Sequence, residues 1–500
     1  MTQPTPRRVD DTQTALLSAD AYWWRFCLLI FALKFFLFAL DPLPKFYLGD
    51  SGSYIWTALT GWMPPDRSFL YGCVIRWSSI WTESLNSLMI LQAFVGAGTA
   101  LVFASTCRLI FQLSPRLSYV FGILCSIDPL QLLWEHYVMT ETISLFLYVV
   151  MLRYSFLYLR DRRVRDLVLV QVLAVVLLSF RLSYLILVQV STVILPIMAF
   201  LPLAYARFRG DSKAPSRTSI VKQVSYHLLL SMLLMLVLHR GYKEINGALS
   251  HREPDYGYDT GLHLLAVWAP ALKPKDAVDP RLAQVIAQGG EYHIERLAKR
   301  NSQRFTPGFL VDRWLKLEGD AKKANEIGEQ TAMRALRRNP LQILYLAAQT
   351  FGQYWHLKDL QHYMKLDLGQ ADLTREQCSM LAERFHLATD GRIRGAPPTI
   401  LQIYFLRSYL YCLLVMTAPA LAGASLLLRR TRNYCALVLL HATITLAVVT
   451  TFTPNPSVRY LQPVSLLTLL ILAVYAKALS DRRAIHGALI TGDIRKNDPV

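Results

Sequence analysis

Long apolar runs alternate with short polar stretches along most of this chain. The pattern predicts ten membrane-crossing helices, at 23–41, 87–111, 117–134, 138–159, 166–180, 183–205, 223–239, 402–428, 433–452 and 461–479. A span needs about 20 apolar residues, and shorter ones are tolerated inside a bundle. The third and fifth runs are short. Only Arg181, Leu182 and Ser183 separate the fifth from the sixth, which implies a tight hairpin or a kinked pair. No small-residue cleavage site follows the first run, so it is expected to remain as a span. The seventh and eighth runs bracket a long polar insert. Within it, 281–300 and 310–338 carry apolar positions at helical spacing. Pro340 opens a third helix, whose Tyr354 and Trp355 are expected at headgroup level. Residues 251–264, rich in Pro, Gly and Asp, read as loop.

This pattern defines an all-α polytopic membrane protein with about ten transmembrane helices. It adds outer-face juxtamembrane helices and a mainly helical outer domain between spans seven and eight. The expected organisation is a cytoplasmic tail (1–22), a membrane core (23–239) containing a first outer loop (42–86), an outer domain (240–401), C-terminal spans (402–479) and a second tail (480–500).

Charge refines this picture. The net charge of +18 over 500 residues suggests a nucleic-acid partner until its location is considered. The segment 240–400 holds 23 basic and 19 acidic residues, so most of the excess lies elsewhere. It clusters between spans: Arg108 and Arg116; Arg160, Arg162, Arg163 and Arg165; Arg207, Arg209, Lys213, Arg217 and Lys222; Arg429, Arg430 and Arg432. With Arg7 and Arg8, and with Lys477 to Lys496 at the far end, these mark the cytoplasmic side. Both termini are therefore expected in the cytoplasm, and no nucleic acid is expected as a partner. The seven cysteines show no metal-binding spacing. Cys73 and Cys378 fall in the two outer segments, where oxidation could join them.

The opposite face carries carboxylates and cations together. Asp50 follows the first span. Asp128, Glu135, His136 and Glu141 surround the third and fourth, and Arg181 lies at the next outer turn. His239, Arg240 and Lys243 follow the seventh span, and Arg459 precedes the last. Each has a plain structural reading. Asp50 is a favoured N-cap for the helix that follows it. Glu141 could be satisfied within the bundle by Thr140 or Thr142, and Arg181 and Arg459 could snorkel. As a group on one face they suit chemistry at a membrane surface. The segment after Pro64 and Pro65, which are expected to stop the first outer helix, suits a second interfacial helix.

In order and spacing, these residues resemble the GT-C superfamily of integral-membrane glycosyltransferases, which includes protein O-mannosyltransferases and lipid A aminoarabinose and galacturonate transferases. GDSGSY (49–54) resembles the acidic motif after the first span. PPDRSFLYG (64–72) is similar to a proline-containing stretch before the second. WEHYVMTE (134–141) resembles a second acidic motif, and RYLQP (459–463) a terminal Arg-Tyr-x-x-Pro. Gly49 stands where the family often has a second acid.

The resemblance implies transfer of a sugar from a polyprenyl-phosphate carrier to a lipid, glycan or protein acceptor at the outer face, in a bacterial plasma membrane. Asp50 would take the acceptor's proton, with Glu135 or Glu141 assisting, and a single displacement would invert the anomeric centre. Arg459 and Arg240, then Arg181, would hold the donor phosphate. His136, Tyr54 and Tyr460 would orient the acceptor. The motifs establish no cofactor; a divalent metal held by Asp50 and Glu135 is compatible with the pattern but not indicated by it. The alternatives are an O-antigen ligase or polymerase, which would put its key Arg and His in the large outer loop, and a flippase or transporter. A transporter calls for mid-membrane polar groups and broken helices. Here the charged residues cluster toward the ends of spans, with Lys34 in the first and Arg407 in the eighth as exceptions.

Overall fold

The computed structural model describes residues 21–490 except 68, 370–372, 388–397 and 429–430. The expected tail ends at 1–20 and 491–500, and the loop residues Arg429 and Arg430, lie outside the described residues. Among the described residues the chain is helical, with one isolated bridge between Lys45 and Tyr137.

The N-terminal half runs α1 (Ala21–Leu40), α2 (Leu48–Thr60), α3 (Leu70–Ile75), α4 (Leu85–Leu109), α5 (Pro115–Ser126), α6 (Pro129–Leu132), α7 (Glu141–Asp161), α8 (Val164–Leu178), α9 (Leu185–Phe208) and α10 (Arg217–Ser250). Seven helices among the described residues are long and apolar enough to cross a membrane: Tyr22–Leu40, Leu85–Leu109, Glu141–Asp161, Leu182–Phe208, Arg217–Ser250, Arg432–Phe452 and Val458–Arg482.

The other three expected spans take different forms. The third is broken, and its halves α5 and α6 meet at 43°. Pro129 disfavours helical backbone at the residue before it. Asp128 instead caps α6, its Oδ1 accepting from the amides of Leu130 and Gln131 at 2.8 and 3.3 Å. The fifth, α8, has only 15 residues. The eighth is divided into three short helices, Ile400–Arg407, Tyr409–Met416 and Ala418–Ser425.

The bundle shares one continuous core reaching from Phe26 to Val474. Helix α4 packs on α1, α5 and α7; α8 lies between α7 and α10. Most of the apolar surface of α10 is exposed, including Leu229, Leu233, Leu236 and Val237. A helix apolar on its open side is built to face lipid.

After α10 come α11 (Thr260–Val267), α12 (Pro280–Ala287), α13 (Arg300–Phe305), α14 (Leu310–Glu318), α15 (Ala321–Arg338), α16 (Pro340–Trp355), α17 (Leu357–Asp367) and α18 (Arg375–Phe385). Both long helices expected here are divided. The 281–300 stretch breaks at Gly289 and Gly290 into 3₁₀ turns. The 310–338 stretch breaks where Gly319 caps α14 and Asp320 caps α15 through the amide of Lys322 at 2.8 Å. Pro340 opens α16 as expected, but Tyr354 is fully buried rather than at an interface, while Trp355 is partly exposed.

The chain closes with α19 (Ile400–Arg407), α20 (Tyr409–Met416), α21 (Ala418–Ser425), α22 (Arg432–Phe452) and α23 (Gln462–Ile490). The polar segment has small cores of its own around Trp314 and Trp268. It docks on the end of α22, where the Trp268 indole donates to the carbonyl of Thr451 at 3.0 Å.

Candidate active site

Helix α2 begins at Leu48, with Tyr47 as its N-cap residue, so Asp50 sits inside the first turn and is not the cap. Ser51 serves this helix start instead. Its hydroxyl accepts from the Tyr47 amide at 2.8 Å and donates to the Val138 carbonyl at 3.0 Å. The loop is pinned beside 136–138 by amide bonds from Lys45 to His136 and from Val138 to Lys45, at 2.8 and 2.9 Å. Neither carboxylate oxygen of Asp50 caps the helix, so both are open to other partners. The positive end of α2 also favours a carboxylate at that position.

Those partners are two arginines. Arg67 Nη2 meets Asp50 Oδ1 at 2.6 Å, and Arg459 Nη1 meets Oδ2 at 2.9 Å. The turn after the first span and the turn before the last, whose Asp50 and Arg459 are 409 residues apart in sequence, thus meet at one carboxylate. Arg67 rises from the turn after Pro64 and Pro65. It donates to the Ser53 hydroxyl, touches Asp66 at 3.2 Å, and lies over the Tyr54 ring at 5.4 Å. Burial works to lower the Arg67 guanidinium, but Asp50 and Asp66 outweigh it and hold it above the usual range.

Arg459 lies 4.7 Å from the Tyr47 ring and 5.3 Å from the Tyr460 ring. Behind it is Glu141, fully buried at the start of α7, which pairs with Arg459 Nε and, at 3.4 Å, with Arg181 Nη1. Arg181 rests 4.8 Å over the same Tyr460 ring. Its contact with Glu141 is an ion pair without hydrogen-bond geometry, and neither of its buried terminal nitrogens makes a hydrogen bond. Arg181, Tyr184, Thr445, Tyr460 and Pro463 line one narrow cleft, in which the Tyr184 and Thr445 hydroxyls also make no hydrogen bond.

The structure therefore brings together Asp50, Glu141, Arg181, Arg459, Tyr54 and Tyr460. It does not bring Glu135, His136 or Arg240 to this cluster. Glu135 is buried among helices and paired with Lys34 at 2.6 Å, with Gln131 also donating at 3.1 Å. That contact accounts for Lys34, the cation inside the first span. His136 hydrogen-bonds through Nδ1 to the Asp41 carbonyl at 2.9 Å and packs on Phe38. Arg240 projects from α10, largely exposed, against Glu244.

Asp50 and Glu135 each have cationic partners of their own. The pair does not fit a metal, and no group of three or more candidate ligands gathers among the described residues. Cys73 and Cys378 are free thiols. Arg67 lies within PPDRSFLYG but nothing in that motif marks it as a partner of Asp50, and Tyr47 and Asp367 fall in none of the motifs.

Chemically, the cluster offers one partly exposed carboxylate on a fixed helix start. Within it, Arg67 pairs with Asp50 and Asp66, Arg459 with Asp50 and Glu141, and Arg181 with Glu141. The spare donor capacity is on Arg181, whose buried terminal nitrogens make no hydrogen bond. Buried donors left without acceptors are costly, so an anion that reached them would be bound favourably.

No protein-family model and no curated protein matches the chain. One solved structure that it resembles is the crystal structure of ArnT from Cupriavidus metallidurans bound to undecaprenyl phosphate. The match has 12% identity and a TM-score of 0.35, and covers 96% of this chain and 82% of that one.

Proposed function

We propose that this chain is a GT-C-type glycosyltransferase of a bacterial plasma membrane, with both termini cytoplasmic. It would move a sugar from a polyprenyl-phosphate-linked donor to a lipid, glycan or protein acceptor at the outer face. The observation that carries this reading is the Asp50–Arg67–Arg459–Glu141–Arg181 cluster, three guanidiniums gathered around a partly exposed carboxylate, with the unbonded Arg181 donors. A phosphodiester supplies one negative charge and acceptor oxygens that a guanidinium can grip bidentately.

In the proposed step, Arg459, Arg181 and Arg67 hold the donor phosphate. The acceptor hydroxyl or amine attacks the anomeric carbon from the opposite side and gives its proton to Asp50. The bond from that carbon to the phosphate oxygen breaks, its electron pair staying on the phosphate, which the arginines stabilise. One displacement inverts the anomeric centre. Each Asp50 oxygen keeps a further lone pair beyond its arginine, so it can accept the acceptor's proton. Glu141, fully buried under both cations, holds and aims them and does not take the proton. Tyr54 and Tyr460 support the guanidiniums from below, and the outer segment shapes the acceptor site.

The test is Asp50→Asn in purified full-length protein, assayed for sugar release from polyprenyl-phosphate donors. Loss of a general base lowers turnover by about 10²- to 10⁴-fold. Undiminished turnover with the fold intact would remove Asp50 from the mechanism. The transport alternative draws on the buried Lys34–Glu135 pair and the broken third span. Movement of lipid-linked sugar across proteoliposomes without any transfer would favour it.

A further inference from the structure

Asp367 ends α17 and is buried, 2% exposed, yet lies in none of the motifs that suggest the site. Its carboxylate closes around the turn that carries Arg459. The Ser457 hydroxyl donates to Oδ1 at 2.8 Å, and the amides of Val458 and Arg459 donate to Oδ2 at 2.6 and 3.2 Å. A second group from the same segment grips the turn one residue earlier. The Tyr354 hydroxyl of α16 accepts from the Ser457 amide and donates to the Ser457 carbonyl, both at 2.9 Å. Two side chains of the outer segment thus bind five polar groups of three consecutive residues.

A second route reaches the same guanidinium. Gly369, with φ 63°, lies so close to Tyr47 that a Cβ would stand 2.2 Å from its ring. That ring is the one 4.7 Å from the Arg459 guanidinium. The strand of contacts is anchored by the Tyr137 hydroxyl, which donates to the Leu368 carbonyl at 2.8 Å and accepts from Gln402 at 3.0 Å.

A carboxylate buried this deeply is costly unless its hydrogen bonds are needed. Burial pushes Asp367 up to about 6, with Ser457 and the two amides working against that rise. Near neutral pH it remains ionised, an acceptor for all three donors.

We propose that Asp367, assisted by Tyr354, is a positioning residue. It fixes the 457–459 turn so that the Arg459 guanidinium meets Asp50 and the incoming phosphate, and it makes the outer segment part of the site. The proposal rests on the reading of Arg459 as a phosphate-holding group.

The test is titration of the full-length protein in detergent with undecaprenyl phosphate, alongside thermal unfolding. Asp367→Ala is expected to bind on the order of tenfold more weakly, since small misplacements of a binding group are costly. Asp367→Asn is expected to recover most of that loss. Its carbonyl oxygen can accept both amides, and its NH₂ can donate to the Ser457 hydroxyl. Wild-type affinity in Asp367→Ala, or equal losses in the Ala and Asn variants, would overturn the proposal. If Asp367→Ala does not fold, Tyr354→Phe decides: severalfold weaker binding supports the proposal and unchanged binding overturns it. Arg459→Gln is measured in parallel. Undiminished binding there removes the reading of Arg459 itself, a failure separately visible from that of Asp367.

Discussion

Glu141 shows how much one buried residue can hold in place. It is the shared counter-charge of Arg459 and Arg181, with no exposed surface of its own. Neutralising it leaves two cations facing each other in a low-dielectric site, a loss of about 3–5 kcal/mol by analogy with other broken buried pairs. Glu141→Gln is therefore expected to lower the thermal midpoint well below that of Asp50→Asn, whose carboxylate is partly solvated. Equal midpoints would contradict the central place given to Glu141. Asp367 permits a second prediction. Its folded pKa, about 6, lies above the value of roughly 3.9 for an unfolded aspartate. Between these values the native state keeps a proton that the unfolded chain has lost. The stabilisation from this group is complete below about pH 4 and is lost as pH rises through 6. Between pH 4 and 7 the midpoint of the wild type should fall relative to that of Asp367→Asn; parallel curves would count against a raised value.

At the level of elements, several boundaries follow local chemistry that the hydrophobic pattern does not register. Helix α2 ends at Gly61, whose φ of 78° suits glycine, three residues before the prolines expected to stop it. The proline pair then directs Arg67 back over α2. Lys34 and Glu135 tie α1 to the turn following α6, and Gln92 of α4 donates to the carbonyls of Glu135 and Tyr137 at 3.0 and 2.9 Å. This arrangement predicts a pronounced asymmetry. Lys34→Met alone should destabilise the protein by about 3–5 kcal/mol, while Lys34→Met with Glu135→Gln should recover much of it, because the double change leaves no buried charge. A double variant as weak as the single would mean that the pair does more than balance charge.

For the whole molecule, orientation is the property to test. The proposed outer face carries α2, α3 and the partly to fully exposed Trp56, Trp62, Trp77 and Trp81, side chains suited to a membrane–water interface. Cys73, exposed on α3, is a natural reporter. In a variant whose other cysteines are replaced, a membrane-impermeant maleimide should label Cys73 from the outside of intact cells. Labelling only after the membrane is opened would invert the topology and with it the proposed side of action.

The hydrophobic pattern by itself determined that the chain is helical and membrane-embedded, because a run of apolar residues has few other stable destinations. Charge in the short loops marked one face, and residue type and order along the chain singled out Asp50, Glu141, Arg181 and Arg459 as candidates. Tertiary structure alone decided which charges meet. Glu135 and Glu141 are six residues apart in one motif, yet one turns toward Lys34 in the bundle and the other toward the arginines. Arg67 and Arg459 converge on one carboxylate only because the turn after the first span and the turn before the last are folded together. Asp367 could not be singled out beforehand. Its importance lies in accepting two backbone amides and a hydroxyl from a turn 90 residues away, and backbone donors leave no signature in sequence. Partners in space depend on how helices pack, and linear order constrains that packing only weakly.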